Sequence, residues 1–130
     1  MPRLWMTLSG LFGAIGVAAA AWSTHGLAAI VPADELAVAL QRAQTANLYL
    51  LVHALALLGV AVASRKAATP WLNAAGALFV LGTLGFAGGL YLLRIVAGIH
   101  SGPTVYIVPA GGTGLILGWV ALAVAGLRWR

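Results

Sequence analysis

The chain has no cysteine and only two acidic residues, Asp34 and Glu35, in 130 positions. The first absence removes disulfides, thiolate metal sites and cysteine nucleophiles. The second reaches further. Charged residues make up 7% of the sequence, against about 25% in an ordinary water-soluble domain. So few charges cannot cover a folded surface with groups that water accepts. No Asp or Glu falls inside any long apolar run, which counts against proton- and sodium-coupled transport, chemistry that generally uses carboxylates at membrane depth. A phosphate-binding loop, a nucleophile elbow and a zinc-protease motif are missing as well. The expectation is a non-enzymatic protein with no cofactor and no metal.

What the chain does have is hydrocarbon, with 62% of its residues hydrophobic. A helix that crosses a bilayer needs about 20 mostly apolar residues, and four runs qualify: about 4–24, 46–64, 71–97 and 106–127. They are continuous, rich in Ala and Leu and not alternating, which favours helices over barrel strands. The first run follows Arg3 and ends among alanines, as a signal peptide does, but it is long enough to span and is read as the first transmembrane helix. Thr69-Pro70 separates the second and third runs, with Pro70 suited to a helix first turn. Gly98 to Pro103 reads as a loop, and Pro109 marks a possible later start for the fourth helix. Gly26 to Val31 looks irregular. Pro32-Ala33-Asp34-Glu35 then reads as a helix start with acids at the positive end of the dipole. Leu36, Leu40 and Ala43 share a face beyond it. The sequence therefore predicts a short amphipathic surface helix over about 34–45, either separate or continuous with the second span.

The fold class expected is an all-α membrane protein: four transmembrane helices in a compact bundle, plus that short amphipathic helix, forming a single domain over 1–130. The net charge of +5 does not point to nucleic acid, because the bases sit at the ends of the apolar runs. Arg3, Arg65, Lys66, Arg128 and Arg130 fall on the side of the termini, and Arg42 and Arg94 on the other, with both acids. By the positive-inside rule both termini are expected in the cytoplasm.

Lipid tails are as apolar as leucine, so helices in a bilayer associate through small residues that let backbones approach. Gly10, Gly13 and Gly16 suggest such a ridge on the first helix. Gly82, Gly85, Gly88 and Gly89 suggest one on the third, and Gly111, Gly114 and Gly118 one on the fourth. Each reads either as packing within the bundle or as the interface of a homo-oligomer. Membrane lipids and a homo-oligomer or larger membrane complex are the partners expected.

Ionisable groups at membrane depth are costly and mark candidate sites. His53 lies well inside the second run, with Tyr49 one turn earlier on the same face and Asn47 further round the helix. Tyr91 and Arg94 share a face of the third run by i,i+3 spacing, near its outer boundary. His25 closes the first run and His100 sits in the loop on the same side. These residues suggest a polar pocket formed by His25, Tyr49, His53, Tyr91 and Arg94, for a small solute or a lipid. The alternative is a structural role, with His53 bonded to a backbone carbonyl or to Tyr91, Arg94 reaching for the headgroups, and Trp119 packing within the bundle.

The run Gly10-Leu11-Phe12-Gly13-Ala14-Ile15-Gly16, followed by His25-Gly26-Leu27, resembles the opening of a small bacterial membrane family catalogued as domain of unknown function 423, which has a human transmembrane relative. Tyr49 ahead of His53-Ala54-Leu55-Ala56-Leu57-Leu58 is similar to its second helix. Phe86, Gly88, Leu90 and Tyr91 are similar to its third, and Pro109-Ala110-Gly111-Gly112 with Gly118-Trp119 to its fourth. Leu50 stands where the family usually has Gln, and Ala87 where it has Ser, so the polar set is reduced here. The resemblance implies four spanning helices and no assigned activity.

Overall fold

The computed structural model describes residues 1–67 and 69–129. Arg130, one of the bases counted on the side of the termini, lies outside the described residues. The first helix, α1, spans Pro2–Ile30 and α2 spans Leu36–Lys66. The third crossing begins as α3, Pro70–Thr83, and continues as a π-helical segment over Leu84–Val96. A 3₁₀ turn, Pro103–Tyr106, leads into α4, Ile107–Leu127. Each of the four crossings is long and apolar enough to traverse a bilayer.

One boundary differs from expectation, and a second is decided between its two alternatives. The stretch expected to be irregular, Gly26 to Val31, is helical up to Ile30. The amphipathic segment over 34–45 is helical from Leu36 and continuous with the second span, so it is not a separate element. No Gly or Pro interrupts α2 before its middle, and Ala39 and Ala43 are buried with Leu27 and Ile95 in a small cluster of their own. That burial turns Ala39 and Ala43 inward against their neighbours, while Val38 stays exposed. The remaining punctuation is local. Thr69 caps α3 by accepting from the Leu72 amide at 3.2 Å, with Pro70 in the first turn. The final link turns on Gly98 and Gly102, whose φ angles of 62° and 88° suit glycine.

Packing divides the bundle into two hairpins. α1 lies along α2, and α3 with its π segment lies along α4. The hairpins meet where α2 touches α3 and the π segment. In the most apolar stretch of each helix, half of α2 is buried but only 17% of α1, so α2 is central and α1 peripheral. The main core joins Trp5, Phe12, Leu57, Leu72, Phe79 and Leu115.

The glycines fall into two groups. Around α4 the helices touch backbone to backbone. A Cβ on Gly111 would run into the backbone of Gly85 and Phe86, and one on Gly85 would approach the Gly111 Cα. Gly82 and Gly114 also face each other, Gly89 meets Val108, and Gly118 meets the Phe79 ring. The proposed α1 ridge is different. Gly16 lies against Leu51, whereas Cβ atoms on Gly10 and Gly13 would meet nothing, and the same holds for Gly88. The stripe of α1 that faces the bundle is Trp5, Ser9, Phe12, Gly16, Ser23 and Leu27, and Gly10 and Gly13 sit off it.

Gly111→Ala is expected to destabilise the protein by about 1–3 kcal/mol, as overpacking of a tight contact does. Gly10→Ala should leave it unchanged or slightly stabilised, by at most about 1 kcal/mol of helix propensity. Thermal unfolding followed by circular dichroism in mild detergent checks both, and equal responses would contradict the packing described.

Candidate functional site

Four of the five residues expected in one pocket occupy three separate places, and the fifth, His25, stands apart. The reason lies in helix phase. In the π segment, backbone bonds close five residues back and each turn takes more than four residues. The three-residue spacing of Tyr91 and Arg94 therefore no longer returns to the same face. On α2, Asn47 and Tyr49 project to different sides.

The first place is between α2, α3 and α4. His53, 3% exposed, uses both ring nitrogens. Its Nδ1 lies 2.7 Å from the Tyr49 carbonyl oxygen, and its Nε2 lies 3.1 Å from the indole nitrogen of Trp119. The carbonyl can only accept and the indole N–H can only donate. The imidazole is therefore the neutral Nδ1–H tautomer, donating to Tyr49 and accepting from Trp119. Around it stand Phe79, with ring centroid 5.4 Å from His53 and 5.0 Å from Trp119, and Tyr49, stacked on His53 at 5.9 Å and against Phe86 at 4.6 Å. The bond to a backbone carbonyl matches the structural alternative drawn from sequence. The partner on another helix is Trp119 and not Tyr91.

The second place is between α1, α2 and the π segment. The Tyr91 hydroxyl lies 2.7 Å from Asn47 Oδ1 and 3.3 Å from the Ala19 carbonyl. The Asn47 amide donates to Ser23 Oγ at 3.4 Å, and Ser23 donates to the Ala20 carbonyl at 3.0 Å. Asn47 and Ser23 were not expected as members of a cluster. An uncharged amide and a serine give weak signals in sequence, and only the partner's position on another helix reveals them. Two further bonds fasten α1: Ser9 Oγ donates to the Ala54 carbonyl at 2.8 Å, and the Trp5 indole donates to Asn73 Oδ1 at 3.2 Å. Trp5 thus belongs to the core. Two buried hydroxyls, those of Ser64 and Thr83, have no partner among the described residues.

The third place is a cleft of about 440 Å³ at the membrane face opposite the termini. Arg94 is half-buried there, with Nη2 3.4 Å from the Val105 carbonyl. Arg42, Asp34, Glu35 and His100 line the same cleft. His25 is exposed on α1 and joins none of the three places. A separate apolar groove of about 260 Å³ opens between α1 and the π segment, lined by Phe12, Ile15, Leu84, Gly88 and Leu92 among others.

Chains of similar length share this sequence pattern from end to end. A family model described as a protein of unknown function (DUF423) matches residues 19–112. The UPF0382 inner membrane protein YgdD of Escherichia coli (strain K12) is 30% identical over 128 residues, covering 98% of this chain and 92% of its own. A UPF0382 membrane protein of Haemophilus influenzae is 32% identical, covering 98% of this chain and 97% of its own. The UPF0382 membrane protein YwdK of Bacillus subtilis (strain 168) is 28% identical, covering 98% of each. No solved structure matches.

Trp119→Phe keeps the ring and removes the one N–H that His53 accepts. It should cost about 0.6–1.7 kcal/mol, the range for a hydrogen bond between helices in a membrane. In a double-mutant cycle with His53→Leu, the coupling energy should fall in that same range, read from unfolding by SDS titration out of mild-detergent micelles. Additive losses would mean that the bond contributes nothing.

Proposed function

This chain belongs to the DUF423 family of membrane proteins, and on that premise we propose that it is a non-enzymatic, structural or accessory component of the membrane whose intramembrane polar groups hold four helices in register. The observation that carries this reading is the engagement of His53. A histidine that relays protons or ligates a metal needs a free ring nitrogen. Here the two nitrogens face Tyr49 and Trp119. Asn47 and Tyr91 are committed in the same way to Ser23 and to a carbonyl of α1. Support for an oligomer or a larger membrane assembly comes from α1, which shows most of its length to the bilayer and carries Gly10 and Gly13 on its uncovered side.

The orientation belongs to the same proposal: both termini lie in the cytoplasm. Its support is the distribution of bases, with Arg3, Arg65, Lys66 and Arg128 at one face and Arg42 and Arg94 at the other.

Two measurements test these statements. Proteoliposomes carrying the protein are expected to leak protons and small anions no faster than empty vesicles, and His53→Gln should not alter that rate. A flux that depends on the protein would favour a channel or carrier and remove the structural reading. A fluorescent protein fused to the C-terminus should be fluorescent in cells, and alkaline phosphatase fused there should be inactive. The reverse pattern would invert the orientation.

A further inference from the structure

We propose that the charged cleft opposite the termini binds one zwitterionic phospholipid, with a primary ammonium outermost and a phosphate beneath it. The cleft collects side chains from three parts of the chain. Asp34 and Glu35 come from the short link into α2, Arg42 comes from α2 itself, and Arg94 comes from the π segment. Groups of opposite sign thus line one opening, yet no ion pair joins them among the described residues. Arg94 has five N–H donors, and its one hydrogen bond here is the 3.4 Å contact with Val105.

The order of charge with depth identifies the ligand. Glu35 stands at the N-cap of α2 and Arg42 lies seven residues further on, roughly 10 Å of rise at 1.5 Å per residue, and α2 runs inward from this face. The backbone that carries the acids is therefore outermost, and the backbone that carries Arg42 lies deeper, with its side chain lining the same cleft. Arg94 sits just short of the end of the π segment, Val96, on an element that approaches the same face from below. A phosphatidylethanolamine headgroup carries its charges in the complementary order, with the amine toward water and the phosphate next to the acyl chains. Guanidinium forks suit a phosphate, and carboxylates accept from a primary ammonium. A lipid with an anionic but amine-free headgroup would satisfy only the arginines. One with a trimethylated amine has no N–H to give the carboxylates.

The apolar surroundings place the ligand in the membrane and not in water. Ile30, Val38 and Val96 border the cleft and are 53%, 47% and 59% exposed. From Val96 the exposed residues Leu92 and Leu84 follow at steps of four and then eight residues, close to one and two turns of a π-helix. Between them lies Gly88, where a Cβ would meet open space. This row leads down to the 260 Å³ groove beside Ile15 and Ala19. The buried plug of Leu27, Ala43 and Ile95 closes the interior between cleft and groove, so an acyl chain would follow the outer row.

The test is native mass spectrometry of the full chain released from nanodiscs holding equal amounts of phosphatidylethanolamine, phosphatidylglycerol and phosphatidylcholine. One phosphatidylethanolamine should be retained per chain, about tenfold over either other lipid, the factor that one lost charge-assisted contact is worth. Arg42→Gln with Arg94→Gln should lose all three lipids. Asp34→Asn with Glu35→Asn should still hold phospholipid but no longer favour phosphatidylethanolamine over phosphatidylglycerol. Circular dichroism checks that each variant keeps its helices, and if the arginine pair proves necessary for folding the acid pair decides alone. Equal retention of the three lipids by the unaltered chain would overturn the proposal, as would an unchanged preference in the acid variant. Displacement by water-soluble glycerophosphoethanolamine as effectively as by whole lipid would assign the cleft to a free zwitterion and overturn the lipid assignment.

Discussion

Hydrocarbon offers no hydrogen-bond partner to an amide, an imidazole or an indole, so every such group at membrane depth has to find one inside the protein. That requirement accounts for more of this structure than hydrophobicity does. The backbone meets it by being helical through four crossings. The side chains meet it by reaching across helices: Trp5 to Asn73, Ser9 to Ala54, Asn47 and Tyr91 to α1, and His53 to Trp119. These bonds give direction to a bundle whose apolar surfaces would otherwise be interchangeable with lipid. They also engage the polar groups that lie at membrane depth, so one constraint accounts for both the helical backbone and the pairing of its buried side chains.

Close contact supplies the remaining cohesion. Where α4 crosses the third helix, Gly85, Gly111 and Gly114 leave nothing between the backbones, and dispersion replaces the burial that drives folding in water. α1 lacks such a seam. Gly16 is its only ridge glycine against a neighbour, and its polar bonds are made at intervals along its length. The result is an unequal bundle, dense around α4 and open between α1 and the π segment.

Composition alone decided the solvent, and the punctuation at Thr69-Pro70 and at Gly98 to Pro103 placed two of the links. These signals are local and strong. The continuity of α2 was harder to read, because Ala39 and Ala43 look like a weak amphipathic face until Leu27 and Ile95 are known to cover them. The candidate pocket depended on a regular third helix. Tyr91 and Arg94 share a face at 3.6 residues per turn, and the π segment rotates them apart. Nothing in Leu84–Val96 announces that widening beyond its glycines. Trp119 and Asn47 stood in plain view in the sequence. Their roles depend on which helices neighbour α2, and periodicity within a single segment carries no such information.

The division into two hairpins bears on how the protein reaches its membrane. α1 makes nearly all its contacts with α2, and α4 with α3 and the π segment. A nascent chain can therefore leave the insertion machinery as α1 with α2 while the later helices are still being synthesised. In that interval His53 lacks Trp119 and Asn47 lacks Tyr91. Arrival of the second hairpin supplies both partners together, so these two bonds close late, as a latch on assembly, whereas the Ser9–Ala54 and Asn47–Ser23 bonds lie within the first hairpin.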